Sequence, residues 1–98
     1  MKKILIDVHS PIARYCIVTL DGRDVTRDCF MSDEVLGIVA VFKRNENGKK
    51  YLEYSEGEDG ETISQAAMDF PRGEVIISLR DDAPESVRKL YEEMRREL

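Results

Sequence analysis

The chain has 98 residues, 42% of them hydrophobic and 36% charged, with a formal net charge of −5. That length supports one core, so residues 1–98 are expected to form a single domain, and the apolar share excludes a disordered chain. No apolar run approaches the roughly 18 residues of a membrane span, and the acidic balance disfavours a nucleic-acid partner, whose phosphates need a basic face.

Lys2 and Lys3 precede only three apolar residues before Asp7, too few for a signal peptide, so the cytoplasm is the expected compartment. A first strand is predicted over 4–8, ended by Pro11. The runs 15–20 and 23–30 flank Asp21-Gly22, a pair suited to the positive φ of a tight hairpin turn, and predict a hairpin. Cys16 and Cys29 then share the apolar side with Val18, Leu20 and Val25. A two-residue loop sets Cys16 opposite Arg27, whereas a four-residue loop sets it opposite Cys29. A reduced pair acting as small hydrophobes is the favoured reading and a disulfide the alternative. Zinc is disfavoured because the two cysteines and the distant His9 lack paired close spacing.

Residues 31–37 carry turn chemistry, and 37–44 predict a central strand, apolar on both faces, that the Asn45–Gly48 turn returns through 51–54. Between Tyr51 and Pro71 there is no Lys or Arg, while Glu53, Glu56, Glu58, Asp59, Glu61 and Asp69 supply six negative charges. All the net acidity therefore lies here. Residues 55–61 are expected to be a mobile surface loop, and 62–68 a short helical turn around Ala66, Ala67 and Met68. A last strand follows over 74–79. The C-terminal helix is the strongest in the chain: Asp82 as cap, Pro84 in the first turn, Glu85 completing a capping box. Val87, Leu90, Tyr91, Met94 and Leu98 form its apolar stripe, expected to cover Val39, Val41 and Val75.

These elements predict an α+β fold: an antiparallel sheet of five to six strands built from hairpins, with the C-terminal helix packed on it. A small β-barrel or sandwich with the helix as a plug is the alternative.

No glycine-rich phosphate loop is present, and no cofactor or metal is expected. The acidic run lacks the alternating ligands and terminal Glu of a calcium hand. Asp7, His9 and Ser10 are the residue types of a hydrolytic site, but nothing beyond their proximity marks them as one. Glu56, Glu58, Asp59 and Glu61 are the candidate partner-binding residues, since charge of one sign steers a basic partner without needing a catalytic pocket. Lys43, Arg44, Lys49 and Lys50 gather around the second turn, where basic residues commonly guard strand edges.

The string Leu20-Asp21-Gly22-Arg23-Asp24-Val25-Thr26, followed by Cys29-Phe30, Ser32-Asp33-Glu34, Gly37 and Arg72-Gly73-Glu74-Val75, resembles short proteins of unknown function encoded by tailed bacteriophages and prophages. The resemblance implies a phage origin, covers about Leu20 to Leu79, and transfers no catalytic residue; the C-terminal helix departs from its pattern. The expectation is a non-enzymatic binding or assembly module, phage-encoded and virion-associated or accessory, acting through a protein partner or self-association. A small acidic regulator of a host protein is the alternative, and a small hydrolase or metal enzyme the least favoured.

Overall fold

Asp21 and Gly22 both take positive φ, 50° and 81°, and the strands they join pair Leu20 with Arg23 and Thr19 with Asp24. The loop is therefore the two-residue one, the turn whose twist matches that of its strands. The computed structural model describes residues 1–97; Leu98, expected at the end of the helix stripe, lies outside them. Among the described residues the strands are β1 Leu5–Asp7, β2 Cys16–Leu20, β3 Arg23–Asp24, β4 Cys29–Asp33, β5 Ile38–Phe42, β6 Leu52–Glu56, β7 Thr62–Ala66, β8 Met68–Asp69 and β9 Val75–Leu79, followed by the helix α1, Glu85–Arg95. They form three antiparallel sheets, ordered β1-β4-β5-β8, β3-β2-β9 and β6-β7. The fold is α+β, and among the described residues there is no closed barrel and the nine strands are divided among those three sheets rather than gathered in one of five to six.

The first hairpin is shorter than expected, and Thr26 is the reason. Its hydroxyl accepts the Val18 N–H at 2.9 Å and lies 3.4 Å from the Val18 carbonyl, taking the place of strand backbone. The Asp24 carboxylate accepts the Thr26 N–H at 2.8 Å and turns the chain into a single 3₁₀ turn over Thr26–Asp28. β4 then leaves for the other sheet, between β1 and β5. The long partner of β2 is β9, paired from Cys16↔Leu79 to Leu20↔Val75. The two-residue register forms but ends before it reaches Cys16, so neither proposed cysteine pairing occurs: Cys16 stands opposite Leu79 and Cys29 opposite Val41.

β5 is central, as its two apolar faces predict, with Val39 and Ala40 both buried. The Asn45 turn forms, its side chain accepting the N–H groups of Asn47 and Lys49. It does not return the chain onto β5, however; β8 pairs there instead. Residues 52–54 belong to β6 and pair with β7, so the span 62–68 expected as a helical turn is instead extended, forming β7 and, after Ala67, the start of β8. β-Branched Thr62 and Ile63 favour that outcome, and Gly57 and Gly60 close the connecting turn tightly enough to bring the two runs together.

Ile4, Ile6, Ile12, Val18, Val39, Val75, Ile77 and Val87 lead the core, with Val41, Tyr91 and Met94 packed against it. Val39, Val41 and Val75 share one core with Val87, Tyr91 and Met94 of the helix stripe, although Leu90 is 41% exposed. Pro84 is the N-cap and no side chain caps the helix. Asp82 is drawn to Arg80 at 3.1 Å, and Glu85 to Lys89 at 3.9 Å, so the capping box does not form.

The sheets are joined by a charge pair that breaks the apolar pattern. The register with β2 and the Arg80 N–H to Tyr15 carbonyl bond turn the even residues of β9 toward β2, so the Ile77 groups face outward. Glu34 accepts the Ile77 N–H at 2.8 Å, while Arg95 and the Tyr91 hydroxyl donate to the Ile77 carbonyl at 2.6 and 3.0 Å. The same two side chains hold the start of the chain: Glu34 accepts the Ile4 N–H at 2.9 Å and Arg95 donates to the Lys2 carbonyl at 2.9 Å. Carboxylate and guanidinium pair directly through both terminal nitrogens of Arg95. Together they present to β9 the acceptor and donor that a neighbouring strand would offer.

Candidate interaction surface: the acidic β-ribbon

β6 and β7 run antiparallel from Leu52↔Ala66 to Glu56↔Thr62. Ala67 ties the ribbon to the body: its N–H donates to the Tyr51 carbonyl and its carbonyl accepts from the Lys43 N–H, each at 2.9 Å. Beyond that junction neither strand has another neighbour among the described residues. The radius of gyration, 15.8 Å, exceeds the about 13 Å of a compact chain of this size, and the long axis reaches 47 Å, consistent with a projecting ribbon.

The four acidic residues singled out from sequence meet at its tip. Glu56 ends β6, Glu58 and Asp59 lie in the turn, and Glu61 precedes β7, all exposed. The turn is closed by Gly57 N–H to Glu61 carbonyl at 2.7 Å and Gly60 N–H to Gly57 carbonyl at 3.1 Å. It is a tight turn rather than the seven-residue loop expected over 55–61. At the base, Lys43 lies 3.8 Å from Glu53 and 3.6 Å from Asp69, and those charges, Asp69 foremost, raise its pKa. Arg44 binds Asp28 through two nitrogens at 2.9 and 2.6 Å, holding the Asp28 carboxyl below the ordinary range. Lys49 and Lys50 have no carboxylate partner among the described residues; Lys50 rests 4.1 Å over the Phe42 ring.

The ribbon also exposes apolar side chains that the sequence reading did not single out. Leu52, Tyr54 and Ile63 are 52%, 68% and 48% exposed. β-Branched Thr62 and Ile63 carried that signal, masked by the helix-forming run that follows them.

The other candidates resolve into structure. The Asp7 carboxylate accepts the backbone N–H of His9 at 2.8 Å, and the Ser10 hydroxyl faces the Ile12 N–H at 3.4 Å. The exposed His9 ring meets Phe30 edge-on at 6.2 Å. These residues shape a turn. Cys16 and Cys29 are free and line one cavity of about 230 Å³ with Ile6, Val18 and Phe30. Burial pushes both thiols upward in pKa, so they stay protonated and weakly nucleophilic. Among the described residues no three His, Cys, Asp or Glu side chains gather as a metal would need, and no helix is long and apolar enough to cross a membrane. Comparison with protein-family models, curated proteins and solved structures gives no match.

Proposed function

We propose that this chain is a non-enzymatic binding or assembly module that meets its protein partner through the β6–β7 ribbon. The observation that carries the reading is the ribbon's isolation. A two-stranded hairpin alone is marginal in water, and natural proteins cover or blunt strand edges that would recruit other chains. Here both outer edges are unpaired among the described residues, apolar Leu52, Tyr54 and Ile63 face water, and the tip is acidic. Strand addition to such an edge supplies backbone hydrogen bonds, while the charge steers approach. The resemblance to short phage and prophage proteins supports placing the module in particle assembly or an accessory role, in the host cytoplasm or the virion. The acidic tip equally suits a small regulator docking on a basic host protein.

A lysine-rich, strand-forming peptide is the probe. It should bind the full chain saturably, bind less tightly as salt rises, and lose affinity when Glu56, Glu58, Asp59 and Glu61 are changed together to their amides. The melting temperature should stay nearly constant, because those side chains are exposed. A chain that neither binds this peptide nor self-associates would refute the reading.

A further inference from the structure

The partner that best fits the β6 edge is a second copy of the chain. This rests on the binding-module reading and narrows it. In the ladder, Tyr51 and Gly57 make the hydrogen bonds to β7 that flank β6, through Ala67 and Glu61. By the alternation of antiparallel pairs, Glu53 and Ser55 also bond inward. The N–H and C=O groups of Leu52, Tyr54 and Glu56 therefore point away from β7, into an edge that no described residue occupies.

That edge carries opposite charge at its two ends. The tip holds Glu56, Glu58, Asp59 and Glu61, and the base holds Lys49 and Lys50, exposed and without carboxylate partners among the described residues. A two-fold axis pairs a strand with its own copy in antiparallel sense, which sets the tip of each against the base of the other. Centred on Tyr54, the outward groups of Tyr54 pair with those of its counterpart, and Leu52 meets Glu56. Continuing the same register brings Glu58 and Asp59 toward Lys50 and Lys49 of the second copy. Parallel pairing would instead put tip against tip. A uniformly basic peptide would match the tip and be repelled at the base, so the edge is more self-complementary than it is complementary to either charge alone. The β7 edge lacks this match, because centring on Ser64 leaves Lys49 and Lys50 unengaged.

We infer that two copies join through antiparallel β6–β6 pairing centred on Tyr54, making a four-stranded sheet from two ribbons. Analytical ultracentrifugation of the full chain over a concentration series tests it, and a concentration-dependent dimer that weakens with salt is expected. Tyr54→Pro should give a folded monomer, since it removes an outward N–H that the ladder with β7 does not use. E58K/D59K and K49E/K50E should each weaken the homodimer by about tenfold, a change of 1.4 kcal/mol, while a mixture of the two should form a mixed dimer of restored affinity. A monomer at every concentration, or a dimer indifferent to Tyr54→Pro and to both charge reversals, overturns the inference. A monomer that still binds the lysine-rich peptide would leave the module reading standing; one that binds neither would remove both.

Discussion

The Glu34 carboxylate and the Arg95 guanidinium, 61 residues apart in sequence, meet oxygen to nitrogen on both sides at 7% and 8% side-chain exposure. Each also holds backbone: Glu34 the N–H groups of Ile4 and Ile77, Arg95 the carbonyls of Lys2 and Ile77. Four separate parts of the chain converge on one ion pair. Removing one partner leaves the other buried and unpaired, which costs about 3–5 kcal/mol, so Arg95→Ala should lower the chemical-denaturation midpoint accordingly. The double variant Glu34→Gln/Arg95→Met should be less destabilised than Arg95→Ala. Equal losses in the two would show that backbone anchoring, not charge pairing, is the main contribution.

Acid should reveal the same pair. Burial alone would raise the Glu34 pKa, but the bonds from Arg95, Ile77 and Ile4 together outweigh it and hold the carboxyl below its ordinary value. A carboxyl depressed on folding stabilises fully above its unfolded pKa, about 4.3 for Glu, and loses that contribution as pH falls through the lower folded value. Stability should therefore drop below about pH 4, with a shallower slope in Glu34→Gln. An unchanged slope in that variant would assign the acid sensitivity to other carboxyls, of which Asp28 is lowered by its bond to Arg44.

Gly37 should resist substitution where Gly22 tolerates it better. Both have positive φ, 66° and 81°, but a Cβ at Gly37 would stand 2.6 Å from the Gly73 carbonyl oxygen, while one at Gly22 meets nothing within 4 Å. Gly22→Ala carries the conformational cost alone, of order 1–3 kcal/mol. Gly37→Ala adds a backbone clash in the turn that delivers Glu34. Thermal unfolding should rank Gly37→Ala clearly below Gly22→Ala, and the reverse order would contradict the contact.

Along the helix, Val87→Ala should be costlier than Leu90→Ala. Val87 is 8% exposed and Leu90 41%, so the first loses about 1.5–2 kcal/mol of buried methyl groups and the second less than a buried leucine's 2–5. Denaturant titration of the two variants checks the order.

Both cysteines should titrate as free thiols after unfolding and react slowly before it. Cys16, 3% exposed, should be the slower in native protein, as mass spectrometry after brief alkylation would show. Faster labelling of Cys16 would mean that the cavity opens readily to solvent.

Local chemistry was readable wherever a residue's own turn or period decided the outcome. Asp21-Gly22, the Asn45 turn, buried Val39 and the alternation of Val75 and Ile77 all follow from neighbours in sequence. Partner choice did not follow. β3 stops after two residues because one hydroxyl, on Thr26, takes the place of strand backbone, β2 gains β9 on its opposite edge from far along the chain, and β6 takes β7 because Gly57 and Gly60 tighten what composition suggests is a loop. The acidic tip was legible as charge but not as a ribbon. Arg95 was missed although its place was marked: it lies four and eight residues after Tyr91 and Val87, on the buried side of the same helix.

The Glu34–Arg95 pair also imposes an order of events on synthesis. Glu34 is translated long before Arg95, and until the helix emerges from the ribosome no guanidinium is there to neutralise it. The turn after β4 and the outer edge of β9 must wait, solvated and unlocked, for the last helical turn. A nascent chain arrested before Arg95 should consequently remain sensitive to protease across Ile4, Glu34 and Ile77 alike, and become resistant at all three together once that arginine is exposed.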